Sequence, residues 1–303
     1  MVRRGSDVNP RRVLESWYRV VRAAVWASPL ARHPAVADAA VGLGTWVRRH
    51  LQLVPSRETI GIVRGHRMWF GPTSECYLDM TQGIWEPGVT HMFETFLKPG
   101  MVVVDVGAHI GYFSLVAARQ VGPGGKVYAF EPAPENYALL VKNIRLNGYR
   151  NIVPVPQAAS DREGDAEFFL HRDSVAHSLH AHASGKHNGT IDVHVTSLDR
   201  FFEAEGWPPV HLAKLDIEGA EPTALGGMRE LIRRNQDIRL VVEYIPHILQ
   251  RTGTDPRRFL DTLRAMRFRI WMVTDDNELV EPNDRLIADP ALRTELWCER
   301  DST

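Results

Sequence analysis

The sequence predicts an α/β fold, a mostly parallel sheet of seven strands flanked by helices. The first observation is the segment Val102–Val106, which holds four valines and one aspartate. Such a nearly unbroken β-branched run is typical of a strand buried on both faces. The second is the turn after it, since Gly107 and Gly111 leave room for a tight turn before a helix that begins near Phe113 and ends at Gly122. The third is the alternation of strand-length apolar runs with helical periodicity further along the chain.

The individual elements are predicted from apolar periodicity and from turn residues. The seven strands are Val102–Val106, Lys126–Phe130, Ile152–Val155, His211–Leu215, Ile238–Tyr244, Phe268–Val273 and one around Leu296–Cys298. Later helices are predicted at Pro134–Asn147, at Ser197–Glu205, through Arg233, and at Pro256–Met266. Alternating patterns at Ala166–Leu170 and Ile191–Val195 predict an inserted hairpin, and Pro246–Thr254 is predicted to be a loop.

The chain divides into three parts by sequence character. They are a basic N-terminal helical segment at residues 1–55, a β-hairpin and pocket-covering preamble at 56–100, and a Rossmann-like domain at 101–303. Within the preamble, Ile60–Val63 and His66–Phe70 predict the hairpin, and Val89–Leu97 predicts a short helix.

The composition is that of an ordinary soluble protein, with 44% apolar and 24% charged residues among 303. The two cysteines, Cys76 and Cys298, form no disulfide framework, which fits a reducing compartment. No apolar run approaches the roughly 20 residues that span a bilayer, and the amino terminus has no continuous apolar core of the signal-peptide type. We therefore expect a cytoplasmic protein without a transmembrane segment.

The first 50 residues are strongly basic. They hold nine arginines against three acidic residues, so the segment is about +6 in a chain whose net charge is −1. Helices are predicted from Asn9 through Val25 and from about Pro34 to Leu51. Two roles stay open. The helices could pack on the main domain, covering the cofactor or forming a homodimer, or they could dock to an acidic carrier protein or an anionic membrane.

The charge around the glycine turn indicates the ligand. A dinucleotide fingerprint has the pattern Gly-x-Gly-x-x-Gly, whereas this chain has Gly-x-x-x-Gly with His109 at the position of the second glycine. Asp105 ends the first strand, where a carboxylate repels phosphate and attracts an ammonium group. Glu131 and Pro132 end the second strand, where a carboxylate can accept both hydroxyls of a ribose. Together these features predict S-adenosylmethionine as the cofactor.

The predicted cofactor-binding residues come from several strand ends and from the preamble. They are Glu86, Asp105, Gly107, Ala108, His109, Gly111, Glu131, Pro132, Gln157, Ala158 and Asp216. Gln157 and Ala158 belong to the loop expected to flank the adenine. For Glu86 two interpretations stay open, a charge at a helix N-terminus or a ligand contact.

A second group of acids follows the fourth strand and supplies candidates for the general base. Asp216 and Glu218 precede the next helix and are expected to face the crevice at the carboxyl ends of the strands. Asp216 is the first candidate, Glu218 can assist, and His109 and His247 are the imidazole candidates. A divalent ion held by Asp216 and Glu218 is the minor alternative, because two acids are a poor octahedral set.

Acceptor contacts are expected from the two segments that a minimal nucleotide-binding fold lacks. These are the preamble, with Tyr77 and Trp85, and the histidine-rich loop His171–Asn188, with His177 and His180. The histidines lack the i, i+4 register of a helical metal site and have no cysteine nearby, so no metal site is predicted.

Several ordered motifs resemble the FkbM family of S-adenosylmethionine-dependent methyltransferases. They are Trp85-Glu86-Pro87, Val104-Asp105-Val106-Gly107-Ala108-His109-Ile110-Gly111-Tyr112, Phe130-Glu131-Pro132, Ser197-Leu198-Asp199 and Lys214-Leu215-Asp216-Ile217-Glu218-Gly219-Ala220-Glu221. The resemblance covers about residues 77–275. Two departures stand out: the family commonly has asparagine at the position of His109, and residues 1–55 lie outside the shared region.

The resemblance implies a class I methyltransferase sheet and O-methylation of hydroxyls on natural products, sugars or related metabolites. The expected partner is a small-molecule acceptor, either free or bound to a carrier. No nucleic-acid partner is expected. Two alternatives from other classes stay open, a non-catalytic cofactor-binding or docking module and a nucleotide-dependent oxidoreductase. The oxidoreductase would need phosphate-compatible glycines, which this turn lacks.

Overall fold

A computed structural model describes most of the chain from residue 55 to residue 300. Residues 73, 75, 172–173, 182–186, 288 and 290–291 within that range are left out of the description. The helices predicted between Asn9 and Leu51 lie outside the described residues. In the part that is described, every helix is too short or too polar to cross a membrane.

The described elements follow the predicted order closely. The strands are β1 (Thr59–Val63), β2 (His66–Phe70), β3 (Val102–Val106), β4 (Lys126–Phe130), β5 (Ile152–Val155), β6 (Ala158–Ser160), β7 (Gly164–Leu170), β8 (Gly189–Ser197), β9 (Leu212–Leu215), β10 (Arg239–Tyr244), β11 (Phe268–Val273), β12 (Leu279–Val280) and β13 (Thr294–Arg300). The helices are α1 (Tyr77–Thr81), α2 (Pro87–Phe96), α3 (Tyr112–Val121), α4 (Pro134–Leu146), α5 (Leu198–Ala204), α6 (Glu221–Gly226), α7 (Arg229–Arg234), α8 (Pro246–Arg251), α9 (Pro256–Ala265) and α10 (Asp284–Ile287). One turn of 3-10 helix lies at Ser174–Ala176.

The main sheet has the strand order β12-β11-β13-β10-β9-β3-β4-β5. The five strands β5, β4, β3, β9 and β10 pair in parallel, and β13 runs antiparallel between β10 and β11. All seven predicted strands are present, so the mostly parallel sheet is confirmed. The two-residue strand β12 extends the sheet to eight strands and was not predicted, because two residues show no periodicity.

A separate small sheet, with the order β6-β8-β7, carries the predicted hairpin. Strands β7 and β8 pair antiparallel over their full length, which confirms that prediction. The prediction of a loop containing Gln157 and Ala158 is partly wrong, because Ala158–Ser160 forms β6 and pairs in parallel with β8. These three residues are buried where the small sheet packs.

The predicted hairpin β1–β2 is also confirmed, with a two-residue turn in which Arg64 and Gly65 both have positive φ. Asn143 of α4 ties the hairpin to the domain, since its side-chain oxygen accepts from the Trp69 amide at 2.6 Å. The same side chain donates to the Ile110 carbonyl at 2.8 Å.

Two helix predictions need correction. The loop predicted at Pro246–Thr254 contains helix α8, because Pro246 stands at the first helical position, where its missing N–H costs no hydrogen bond. The helix predicted through Arg233 is split into α6 and α7 near Gly227. A Cβ on Gly227 would lie 2.0 Å from the Ser160 carbonyl oxygen, so the close approach of β6 requires glycine there.

Candidate active site

The carboxyl ends of β3, β4, β9 and β10 meet at one edge of the main sheet, as the strand order requires. Gly107 follows β3 and has φ +84°, and Asp216 follows β9. A Cβ on Gly107 would lie 1.9 Å from the Asp216 carbonyl oxygen, so only glycine permits this approach. Asp216 therefore follows the strand that lies beside the one carrying Asp105.

Glu131 sits at the end of β4 and is 4% exposed. Its Oε2 accepts from the His109 amide at 2.8 Å, and its Oε1 accepts from the Ala133 amide at 2.9 Å. Burial raises the pKa of Glu131 to about 7, although both amide hydrogen bonds favour the ionised form. Each carboxylate oxygen keeps a second lone pair, so the group can still accept the two hydroxyls of a ribose.

Asp105 lies within β3 and is 1% exposed. The Ser114 hydroxyl donates to its Oδ2 at 2.5 Å, whereas its Oδ1 has no hydrogen-bond partner. Burial raises the pKa of Asp105, and the charge of Lys214 and the Ser114 hydrogen bond act in the opposite direction. A buried carboxylate oxygen without a donor is costly, which fits an ammonium ligand, direct or through water.

Lys214 is the register partner of Asp105 on the neighbouring strand β9 and is 1% exposed. Its ammonium forms an ion pair with Asp216 Oδ2 and lies 4.6 Å from the centroid of the Phe113 ring. Burial lowers the pKa of Lys214, but the charges of Asp216, Glu86 and Asp105 outweigh it, so the pKa is raised. Lys214 therefore places a buried positive charge among several carboxylates.

His109 occupies a left-handed conformation, with φ 50°. Its Nε2 lies 2.8 Å from the Ser174 hydroxyl. Desolvation, followed by the charge of His177, lowers the pKa of His109 to about 4. An imidazole with this pKa is neutral near pH 7.

The Asp216–Ala220 loop is held by Glu221, the first residue of α6. Its Oε1 accepts from the Ile217 amide at 2.8 Å, and its Oε2 accepts from the Gly219 amide at 3.0 Å. Glu218, with φ 54°, donates its own amide to Glu243 Oε2 at 3.2 Å. Glu221 therefore orders the loop that carries the predicted base.

Two spaces that share lining residues surround these strand ends. The larger is a cavity of about 410 Å³, a volume in the range of small-molecule sites. The smaller, which we call the recess, has a volume of about 40 Å³ and is bordered by Glu131, Pro132, Gln157 and Ala158. Four residues line both spaces: Gly107, His109, Val175 and Asp216.

Most of the predicted residues gather at these two spaces. The cavity is lined by Trp85, Glu86, Gly107, Ala108, His109, Asp216 and Glu218. His177 borders the recess beside Glu131, Pro132, Gln157 and Ala158.

Asp105 and four other predicted residues line neither space. Asp105 is buried on β3 beside its register partner Lys214. Gly111 forms the turn before α3, and its missing side chain leaves room for Leu140. Tyr77 packs its ring edge-on against Phe70, with centroids 5.0 Å apart.

His180 and His247 complete this group. His180 lies two residues beyond Ser178, whose hydroxyl accepts from the His180 amide at 3.1 Å. His247 is half-buried on α8, away from the lining. The structure therefore does not bring Tyr77, His180 or His247 to the cavity.

Six charged residues of the cavity escaped prediction: Asp79, Lys214, Glu243, Asp275, Arg293 and Glu295. Lys214 lies in β9 and Asp216 follows that strand directly. Residues two apart in a strand point to the same side, so both side chains are expected on one side of the sheet. That spacing was the available signal for Lys214. Glu243 and Glu295 are opposite each other in the antiparallel pair β10–β13, which sequence alone does not reveal.

The fold and this edge of the sheet define a class I S-adenosylmethionine-dependent methyltransferase. A family profile described as "Methyltransferase FkbM domain" matches residues 105–270, more than half of the chain. The protein belongs to the FkbM methyltransferase family, its cofactor is S-adenosylmethionine, and the predicted resemblance is confirmed.

Individual relatives cover shorter stretches. The 31-O-demethyl-FK506 methyltransferase FkbM of Streptomyces tacrolimicus is 32% identical over 44% of this chain and 62% of its own length. The hexuronic acid methyltransferase AglP of Haloferax volcanii is 27% identical over 52% of this chain and 58% of its own. A protein-L-isoaspartate O-methyltransferase of Aeropyrum pernix is 43% identical, but over only 24% of this chain and 29% of its own. This chain thus spans 29–62% of the length of these relatives.

Similar solved structures are remote. An S-adenosylmethionine-dependent O-methyltransferase of Thermotoga maritima aligns over 85% of this chain and 82% of its own, with 15% identity and a TM-score of 0.42. TYW2 of M. jannaschii, solved with AdoMet, aligns over 82% and 88%, with 16% identity and a TM-score of 0.43. The family assignment does not rest on these two likenesses.

Proposed function

We propose that this protein is an O-methyltransferase that transfers a methyl group from S-adenosylmethionine to a hydroxyl of a small metabolite, such as a natural product or a sugar. The observation that carries the proposal is the position of Asp216, which borders both the recess and the cavity. A carboxylate at that junction lies where the cofactor and the acceptor would meet. Relatives named for 31-O-demethyl-FK506 and for hexuronic acid support a metabolite as the acceptor.

The residues at the strand ends suit the parts of the cofactor. Glu131 would hold the ribose hydroxyls, and Pro132, Gln157 and Ala158 would border the adenine. The unpartnered Oδ1 of Asp105 would favour the methionine ammonium, directly or through water. Bound in this way, the cofactor supplies a methyl group on a sulfonium, an electrophile that needs no further activation.

The protein's own task is to place the acceptor oxygen in line, about 3 Å from the methyl, and to accept its proton. Lys214 engages Oδ2 of Asp216, so we assign Oδ1 of Asp216 to the acceptor proton. Glu218 lines the same cavity and can assist. His109 and His247 are weaker candidates, the first because its pKa is lowered to about 4 and the second because it lies off the lining.

The test is single-turnover methyl transfer with saturating cofactor over a panel of hydroxylated acceptors. Asp216→Asn should lose about 10²-fold or more in rate while keeping its affinity for S-adenosylhomocysteine, the loss expected for a missing general base. Asp192→Asn, at an exposed position of β8, is the matched control.

Three further variants and one additive separate the alternatives. Glu218→Gln and His109→Asn should have smaller effects than Asp216→Asn, and His247→Ala should have none. Full activity in Asp216→Asn would remove the assignment of the base. Abolition of activity by EDTA, with recovery on adding magnesium, would replace the metal-free mechanism.

A further inference from the structure

The large cavity is strongly acidic. Seven acidic and two basic side chains line it, and one of the two basic groups, Lys214, is already paired with Asp216. The other, Arg293, is exposed. The methionine end of the cofactor carries an ammonium, a sulfonium and a carboxylate, so it brings a net charge of only about +1. The cofactor alone therefore cannot balance the carboxylates of this cavity.

Two of these carboxylates face each other directly. Glu243 of β10 and Glu295 of β13 are register partners in an antiparallel pair, and both line the cavity. Like charges directly opposite each other across two strands destabilise a sheet. Desolvation raises the pKa of both groups, that of Glu295 to about 7, and the charge of Asp216 adds to the effect in each case. With both groups ionised the pair is unfavourable, and either a proton on one of them or a cationic ligand beside them relieves the repulsion.

An independent observation at Glu86 indicates a ligand. Oε2 of Glu86 is buried without a hydrogen-bond partner, and the residue lines the same cavity. Glu86 is held immediately before α2 in a left-handed conformation, with φ 39°. A carboxylate oxygen in this situation needs a donor that the surrounding protein does not supply.

The walls beside these acids favour an organic cation over a metal ion. Trp85 lines the cavity next to Glu86, and Ile245 and Val273 add apolar surface near the glutamate pair. An ammonium group is bound well by carboxylates together with an aromatic face, whereas Mg²⁺ and Ca²⁺ require a shell of oxygen ligands.

We infer that the acceptor carries an ammonium group, and that Glu243 and Glu295, together with Glu86, bind it in the cavity beside Trp85. This inference rests on the proposed function and narrows its acceptor to hydroxylated amines. The ammonium would neutralise the opposed pair and donate to the unpartnered Glu86 oxygen. The hydroxyl to be methylated would then lie toward Asp216.

The test compares two small probes of nearly equal size, 2-aminoethanol and its uncharged counterpart 1,2-ethanediol. Their dissociation constants are measured by ligand-observed NMR on the full-length protein saturated with S-adenosylhomocysteine. Wild type should bind the amine about 10-fold or more tightly than the diol, a preference of the size expected for a charge-assisted contact. Glu243→Gln and Glu295→Gln should each reduce that preference about 5-fold or more.

Glu167→Gln, at an exposed position of β7, is the matched control and should keep the full preference. Thermal melts check the fold of each variant. The two cavity variants should fold, because each removes one of two opposed charges.

Three results would contradict the inference: equal binding of the two probes, no saturable binding of 2-aminoethanol up to about 100 mM, or a preference that both variants retain. Binding of Mg²⁺ or Ca²⁺ by wild type, lost in both variants, would identify a metal site and also contradict it. The affinity for S-adenosylhomocysteine distinguishes a failure of the proposed function from a failure of this inference. A protein that does not bind it contradicts the proposed function, whereas one that binds it without discriminating the probes contradicts this inference alone.

Discussion

Substituting Glu131 by alanine should both weaken cofactor binding and lower the stability of the fold around the turn at Gly107. The carboxylate accepts from the amides of His109 and Ala133, at 2.8 and 2.9 Å. Alanine would leave both N–H groups without their acceptor, at about 1–3 kcal/mol each, so we expect a loss of roughly 2–6 kcal/mol in the free energy of unfolding. The lost hydrogen bonds to the ribose should cost a further 1.5–3 kcal/mol or so in binding, about 10- to 150-fold in dissociation constant.

Two measurements separate these effects. Calorimetric titration with S-adenosylhomocysteine gives the dissociation constant, and denaturant unfolding without ligand gives the stability. Glu135→Ala, at an exposed position in the first turn of α4, is the matched control for loss of a glutamate. An unchanged dissociation constant in a folded Glu131→Ala protein would refute the ribose assignment. Unchanged stability would refute the structural account of its hydrogen bonds.

Three other substitutions test the geometry of the strand ends. Gly107→Ala should abolish cofactor binding or folding, because the new methyl would meet the Asp216 carbonyl oxygen at 1.9 Å, whereas Gly124→Ala has open space and should be tolerated in thermal melts and titrations. Lys214→Met should destabilise the protein by about 3–5 kcal/mol in denaturant unfolding, because it leaves buried carboxylates without their counter-charge; stability within 1 kcal/mol or so of wild type would argue against that role. Glu295→Gln should raise the melting temperature at pH 8 but not at pH 4. The folded-state pKa of Glu295 is raised to about 7, so its contribution to stability is fully present below the unfolded value near 4.5 and is lost as the pH rises through 7. The stability lost in this way is at most about 3 kcal/mol. Equal shifts in melting temperature at both pH values would contradict the assigned pKa.

The sequence was sufficient to place the parallel part of the sheet and the acids at its carboxyl edge. Val102–Val106 and Lys126–Phe130 are buried strands with distinct stop signals, so Glu131 and the turn at Gly107 follow from local pattern. The adjacency of Asp216 to β3 also follows, because open sheets of this kind have few alternative strand orders.

Glu295 shows where that reasoning stops. Functional acids are expected at the carboxyl ends of parallel strands, but β13 runs antiparallel, so the start of that strand lies at the functional edge. No local sequence pattern in residues 294–300 indicates that this strand runs antiparallel to its neighbours. Similarly, Tyr77 was assigned to the acceptor for its position in the preamble, yet it packs against Phe70 because α1 turns its ring toward the hairpin.

The close approach of Gly107 to Asp216 has a practical consequence for altering this enzyme's acceptor range. The two backbones are so near that neither loop can be redesigned alone, and libraries that randomise positions around 107 and 216 would consist mostly of misfolded chains. The wall formed by Trp85 and Ile245 comes from other elements, and neither residue makes such an approach. Thr274 does not belong to this wall, because its carbonyl oxygen lies 2.3 Å from where a Cβ on Gly88 would be. Variation directed to that wall can reshape the cavity while the chemistry at the strand ends stays intact.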